Sequence, residues 1–335
     1  MKTIFSVEQG NLRPPSESRS LLLRVVRNCP WNRCIFCPAY KEKKFSTRTV
    51  EEIIKEIDIF YNSTNPDYVE SIFLQDADAL IIPTDRIIKI LNHITKRFPD
   101  VKRITSYSRS STLAKKTVEE LTNLKNAGVS RIHVGLESGC DEVLEFVKKG
   151  VTSEKQLQGC LNVKQAGIQL CTYFMPGLGG KKYSEKHAVH TGKLLAQIQP
   201  EHIRLRTCFV LEGTELAQEY LNGNFEPLTE EETVREILLM LSFLENVNTE
   251  IVSDHRINLL LELNGKLPGD YGRLVNIIQE FLNLNDESKK LFVVGRRLGI
   301  IRKLEDLKNG QILELIKKNS HLYKDETPVP KNILY

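Results

Sequence analysis

Nothing in this chain of 335 residues approaches the roughly 18 consecutive apolar residues that a membrane-spanning helix needs, although 41% of it is hydrophobic. The opening stretch Met1-Lys2-Thr3-Ile4-Phe5-Ser6 lacks the long apolar core of a secretion signal. A cytoplasmic location is therefore expected, with no membrane partner. A strong charge of one sign is missing as well: 47 basic residues against 43 acidic ones leave a formal charge of +4, too thin an excess to support nucleic acid as a partner. An even cysteine count is also missing, and seven thiols argue against a fully paired disulfide framework. No low-complexity linker interrupts the chain. Its length suits one large core, or a large core with a modest extra domain.

What is present is an alternation. From residue 20 a short β-rich run, a polar or glycine-containing turn and a longer amphipathic stretch recur. The runs are Leu21-Leu22-Leu23-Arg24-Val25-Val26, Ser71-Ile72-Phe73-Leu74, Arg103-Ile104-Thr105-Ser106-Tyr107, Arg131-Ile132-His133-Val134-Gly135-Leu136, Ile168 to Phe174, and His202 to Thr207. Helices are expected from about Thr49, from Pro83-Thr84-Asp85, over 117–125, over 140–149 and 153–165, over 184–197, and from Gly213-Thr214. Six such units imply parallel strands joined by right-handed crossovers. Six rather than eight fits an α/β fold built as a partial (β/α)6 TIM-type barrel. The organisation read from this is an N-terminal extension over 1–19, the barrel over 20–228, and a mainly helical C-terminal region over 229–335 that caps it. That last region carries helices over 229–246, 271–284, 287–298 and 310–318, an extended piece at Glu250-Ile251-Val252-Ser253, and an extended tail, Glu326-Thr327-Pro328-Val329-Pro330.

Three of the seven cysteines lie within nine residues, Cys29-Pro30-Trp31-Asn32-Arg33-Cys34-Ile35-Phe36-Cys37, just past the first strand. A β/α barrel places its active-site loops there. In a reducing compartment clustered thiols point to metal, and three soft sulfurs can wrap three corners of an iron–sulfur cube, leaving one iron open. Structural zinc is the other reading, but it wants four protein ligands, and no histidine or cysteine follows the triplet until His93. The scattered Cys140, Cys160, Cys171 and Cys208 read as small buried hydrophobes.

The Cys29–Cys37 loop, with an aromatic just before its last cysteine, resembles the cluster loop of the radical S-adenosylmethionine (SAM) superfamily, here with four residues between the first two cysteines where three are commonest. The resemblance covers residues 13–225 and is nearest to coproporphyrinogen-dehydrogenase-like and Elongator-type, tRNA-modifying members. It implies a 4Fe–4S cluster on Cys29, Cys34 and Cys37, SAM as second cofactor, and a one-electron reductant such as ferredoxin or flavodoxin. In that superfamily the reduced cluster cleaves SAM to a 5′-deoxyadenosyl radical that abstracts a substrate hydrogen. The resemblance also implies cofactor contacts from Phe36, from Gln75 and Asp76 at the end of the second strand, from Glu137 in Gly135-Leu136-Glu137-Ser138-Gly139, from Lys149, from Gly177 in the glycine-rich turn after the fifth strand, and from Arg206 in the sixth. No catalytic residue is assigned.

Alternation places a further set of cations on inward faces: Arg103, Arg131, His133, Arg204 and Arg206. Buried charge must be paired. Two readings stay open: an internal network with Glu137, Asp76 and Asp78, or an anionic ligand. Ser253-Asp254-His255 is a candidate proton donor or acceptor. With about 20 residues ahead of the first strand, no second cysteine group and no β-rich RNA-binding module, the expectation is a compact single-cluster enzyme acting on a small molecule rather than a macromolecule. A non-catalytic iron–sulfur or zinc protein is the reading from another class.

Overall fold

The computed structural model describes residues 7–10, 12–323, 327 and 329. Its strands are β1 (Leu21–Arg24), β2 (Val26–Arg27), β3 (Ser46–Thr47), β4 (Ser71–Gln75), β5 (Arg103–Ser108), β6 (Val129–Glu137), β7 (Gln169–Phe174), β8 (His202–Leu205), β9 (Thr249–Val252) and β10 (Gly265–Leu267). Its helices are α1 (Val50–Ser63), α2 (Thr84–Arg97), α3 (Ser110–Leu113), α4 (Val118–Asn126), α5 (Asp141–Phe146), α6 (Ser153–Gln165), α7 (Gly180–Ile198), α8 (Glu215–Leu221), α9 (Glu230–Leu241), α10 (Tyr271–Leu282), α11 (Asp286–Arg297) and α12 (Gly310–Asn319). The strand–helix alternation, largely parallel, is that of a partial TIM-type barrel, followed by a mainly helical C-terminal part. Among the described residues no helix is long and apolar enough to cross a membrane.

The chain forms two compact units, Met1–Leu136 with Gly150–Thr172, and Glu137–Lys149 with Tyr173–Tyr335. In the first, the strands run β1-β4-β5-β6-β7, and the pairs β1–β4, β4–β5 and β5–β6 are parallel. In the second they run β8-β9-β10. The extended piece expected near 250 is β9, which pairs parallel to β8, and β10 returns antiparallel to it. Sequence reading missed β10 because three residues offer no period to detect. Of the expected tail, only Thr327 and Val329 fall within the described residues, and Val329 bridges to Leu211.

Local chemistry explains where helices start. α1, α4 and α9 each open on the same device, Thr-x-x-Glu: Thr49/Glu52, Thr117/Glu120 and Thr229/Glu232 each exchange side-chain and backbone hydrogen bonds as a capping box. α7 begins four residues earlier than the expected 184, since Gly179 and Gly180 give its first turn room that no side chain marks.

The first unit's core is built around Phe73, fully buried, whose ring meets Tyr107 edge-on at 5.0 Å and His133 at 6.1 Å. α3 and α6 cross backbone to backbone. A Cβ on Gly159 would stand 2.4 Å from the Ser110 carbonyl oxygen and 2.9 Å from the Ala114 nitrogen, neither of which can swing away. Gly159→Ala should therefore lower the urea midpoint by an amount worth about 2 kcal/mol with an unchanged slope. Gly272→Ala, where a Cβ meets nothing within 4 Å, should be neutral or slightly stabilising. Equal effects of the two changes would show that α3 and α6 are not in close contact.

Candidate active site

The cysteine loop leaves β2 and returns through β3, and these two short strands pair antiparallel to close it. Its tight path uses Asn28 (φ 67°) and Asn32 (φ 47°) in the left-handed region that asparagine tolerates best after glycine. The carboxylate of Asp76, 1% exposed, holds both ends. Its Oδ2 accepts from Arg24 Nε at 2.9 Å and from the Asn28 N–H at 3.2 Å, and its Oδ1 accepts from the Tyr40 hydroxyl at 2.9 Å. Burial, with Asp76 and Cys37 adding to it, pushes the Tyr40 hydroxyl far above its ordinary range, so it stays a donor. Inside the loop, Asn32 Nδ2 donates to the Tyr40 carbonyl at 2.5 Å and the Asn32 N–H to Cys29 Sγ at 3.4 Å. Trp31 lies under two guanidinium groups, Arg33 at 5.1 Å and Arg109 at 5.0 Å from the ring centroid.

Cys29, Cys34 and Cys37 are each half-buried, whereas Cys140, Cys160 and Cys171 are fully buried, as expected for small hydrophobes, and Cys208 is half-buried. Among the described residues the three loop sulfurs do not form a set within 4.8 Å of one another. A single tetrahedral ion would need them closer, while a cube spreads its ligands over separate irons. Phe36 is half-exposed beside Cys37. Gln75 is 1% exposed and spends its amide on the N-terminal segment, accepting from the Gly10 N–H and donating to the Leu12 carbonyl, both at 3.0 Å.

In the second unit Glu137 ends β6 with φ 65°, a conformation held at a cost in strain. Its carbonyl accepts from the Met175 N–H at 3.0 Å. Lys149, brought back after α5, donates to Glu137 Oε1 at 3.1 Å, with side chains 11% and 13% exposed. The two residues that were expected to touch the cofactor's charged end thus meet each other. Gly177 (φ 84°) turns the chain after β7, and its N–H donates to Glu236 Oε1 at 2.6 Å, while Ser184 Oγ donates to Glu236 Oε2 at 2.5 Å. His187 lies 3.8 Å from the same carboxylate, 3.0 Å from the Met175 carbonyl and 2.8 Å from Ser138 Oγ. Burial pulls His187 down to about 4 and raises Glu236 to about 7 against the lowering effect of Ser184 and Gly177. Sequence reasoning missed Glu236. Its signal was a carboxylate on the stripe of α9 that buries Thr233, Val234, Ile237 and Met240.

Three of the five cations expected to face inward, Arg103, His133 and Arg204, meet carboxylates, but not the acids expected. Arg103 and His133 meet Glu17, at 3.2 and 3.3 Å, rather than Glu137, Asp76 or Asp78. The turn Pro15–Glu17 inserts a carboxylate that β-alternation could not reveal. Burial pushes Glu17 upward, yet His133, Ser20 and Arg103 together bring it down to about 2. Arg131 meets Gln169 at 2.9 Å in an exposed contact, and Arg204 meets Asp254. Asp78 is consumed locally by Ser108, Thr112 and the Arg109 N–H. Arg206 is half-buried, and among the described residues no hydrogen bond or ion pair engages its guanidinium. His255 falls to about 4, by burial first and then by Arg206, Arg256 and Arg204, so it is neutral at pH 7.

Glu236 gives a pH signature. Its folded pKa of about 7 exceeds the ordinary 4.5, so wild-type stability is fully present below about 4.5 and declines as pH rises through 7. The facing titratable groups are His187, neutral throughout this window, and the Cys208 thiol. Glu236→Gln keeps the acceptor for Gly177 and removes the charge. Urea unfolding should show the variant gaining on the wild type from pH 5 to pH 8, by about 3 kcal/mol in the limit. Parallel stability curves would place this carboxyl at its ordinary pKa.

Comparison with known proteins bears on what these residues serve. The profile of the Radical SAM superfamily matches residues 23–191. The chain is 26% identical over 140 residues to a tRNA uridine(34) acetyltransferase of Methanocaldococcus jannaschii, an alignment covering 42% of this chain and 25% of that protein. It is 26% identical over 205 residues to an uncharacterized methyltransferase of Pyrococcus horikoshii, covering 61% and 42%. The chain therefore spans less than half the length of these curated relatives. Coproporphyrinogen III oxidase from Escherichia coli, a radical SAM enzyme, superposes with a TM-score of 0.52 at 14% identity over 67% of this chain and 52% of that one, a likeness of fold. With half of its length matching the superfamily profile, the chain belongs to the radical SAM superfamily and is an enzyme whose cofactors are a 4Fe–4S cluster and S-adenosylmethionine.

Proposed function

We propose that Cys29, Cys34 and Cys37 hold the cluster and that the enzyme abstracts a hydrogen atom from a small substrate carrying an anionic group. The observation that carries this reading is the loop itself: three half-exposed thiols on a segment whose two ends are fastened to one buried carboxylate, Asp76. The donor set, three soft sulfurs with no fourth protein ligand in the loop, fits a cube with one open iron. When bound, the cluster supplies the electron that splits SAM into methionine and the 5′-deoxyadenosyl radical that takes the substrate hydrogen.

The chain's own residues bind and orient. Glu137 and Lys149 form a matched pair, complementary to the α-amino and α-carboxylate groups of SAM, and each would exchange its partner for the oppositely charged group of the ligand. Gly177 offers the cofactor backbone without a side chain. Gln75 and Asp76 act through the segments they hold, and Phe36 covers the cofactor beside Cys37. Arg206, with no side-chain partner among the described residues, offers a cation for a carboxylate of the cofactor. The positive charge that Arg204, Arg206 and Arg256 place around the neutral His255, against Asp254, supports an anionic substrate. A one-electron reductant such as ferredoxin or flavodoxin completes the reaction.

Anaerobic reconstitution tests the assignment. The wild type should take up iron and sulfide and, with dithionite and SAM, yield 5′-deoxyadenosine. Cys34→Ala should lose both iron and product. Lys149→Ala should keep its iron and bind SAM roughly tenfold more weakly or worse. Product formation surviving in Cys34→Ala would refute the ligand set, and unchanged SAM affinity in Lys149→Ala would refute the role of the ion pair.

A further inference from the structure

We propose that Cys140, Glu142 and His190 form a binding site for a divalent metal ion of the zinc class, separate from the cysteine loop. Among the described residues these three form the one set of metal-ligating side chains whose donor atoms all lie within 4.8 Å of one another. They come from two elements of the second unit: Cys140 and Glu142 from the start of α5, His190 from within α7. Contacts beyond those of the donors themselves bring these elements together. A Cβ on Gly139 would stand 2.7 Å from the His190 carbonyl oxygen and 2.8 Å from the Thr191 Cα, so glycine alone allows this approach. The Gly139 N–H donates to Thr191 Oγ1 at 2.8 Å, and Ser138 Oγ lies 2.8 Å from His187 Nδ1 while accepting from the Cys140 N–H at 3.0 Å. The frame around the triad contributes to its preorganisation.

The donor chemistry selects the ion. One thiolate, one carboxylate and one imidazole suit zinc, and three protein ligands leave a fourth position for water. Glu142 already divides its oxygens: Oε1 accepts from Lys186 Nζ at 2.7 Å and Oε2 from the Cys140 thiol at 3.2 Å. Lys186 thus orients the carboxylate from outside, as partners of metal ligands do. The thiol proton occupies the place of the ion, and binding releases it. Thiolate and carboxylate together neutralise the dication. Because α5 lies on the segment between Glu137 and Lys149, an ion here fastens to α7 the stretch that carries both.

The test uses the full-length protein with its cluster reconstituted, so that the loop cysteines are occupied, and zinc(II) in competition with a chelator. Iron content is measured in the same samples and reports separately on the cluster. One zinc per chain is expected, with a zinc K-edge first shell of one sulfur at roughly 2.3 Å and otherwise nitrogen and oxygen. His190→Ala, at an exposed position, and Cys140→Ser should each weaken zinc retention roughly tenfold or more with iron unchanged. A first shell with no sulfur or with several, or zinc held as tightly by His190→Ala as by the wild type, overturns the site.

Discussion

The carboxylate of Asp76 is the constraint on which the cysteine loop depends. In the proposed cluster site three thiolates would repel one another, so a frame outside the triplet is needed to gather them. Convergence must be imposed from outside, and Asp76 imposes it by fastening Asn28 at one end and Tyr40 at the other, with Arg24 compensating its charge at 2.7 Å. The arrangement is costly to break. Asp76 has a fully buried side chain and Arg24 one 12% exposed, and removing one member of such a pair leaves an uncompensated buried charge, typically worth about 3–5 kcal/mol. Asp76 was expected to touch the cofactor directly. In the structure both of its oxygens accept hydrogen bonds, Oδ2 from Arg24 and Asn28 and Oδ1 from Tyr40.

Backbone strain is distributed in the same places. Among the described residues six non-glycine positions have positive φ: Asn28, Asn32, Glu42, Glu137, Lys148 and Gln199. The first three lie in the cysteine loop, and the next two bracket α5 on the segment from Glu137 to Lys149. Gln199 is the sole member elsewhere, and it caps the end of α7. Conformations that cost of order 1–3 kcal/mol persist only where surrounding structure over-determines them. Asp76 does so for the loop; Ser138, Gly139 and Lys149 do so for the second segment.

The legible parts of this protein were those with a local or periodic signal. The six β/α units announced themselves by hydrophobic period, α1 and α8 started within a residue or so of the expected Thr49 and Thr214, and the cysteine triplet by its spacing. Alternation also told correctly that Arg103, His133 and Arg204 need counter-charges. It could not say which acids supply them, because the answer lies far away in sequence: Glu17 is 116 residues from His133, and Asp254 is 50 from Arg204. Glu236 escaped for a related reason. A carboxylate on an apolar helical stripe signals a buried partner but does not name it, and the Gly177 N–H it meets is 59 residues away.

That last contact also bears on how far the support of the candidate site extends along the chain. The turn after β7 carries Gly177, and its amide would be an orphaned buried donor without the Glu236 carboxylate. Ser184 in the first turns of α7 relies on the same carboxylate. Glu236 belongs to α9, in the helical part of the chain that follows the β/α alternation. A boundary drawn where the alternation stops therefore marks a change of architecture rather than an edge of the site's support. The β/α strands bring backbone and side chains to the turn, and a helix outside the repeat supplies the acceptor that keeps the turn in place.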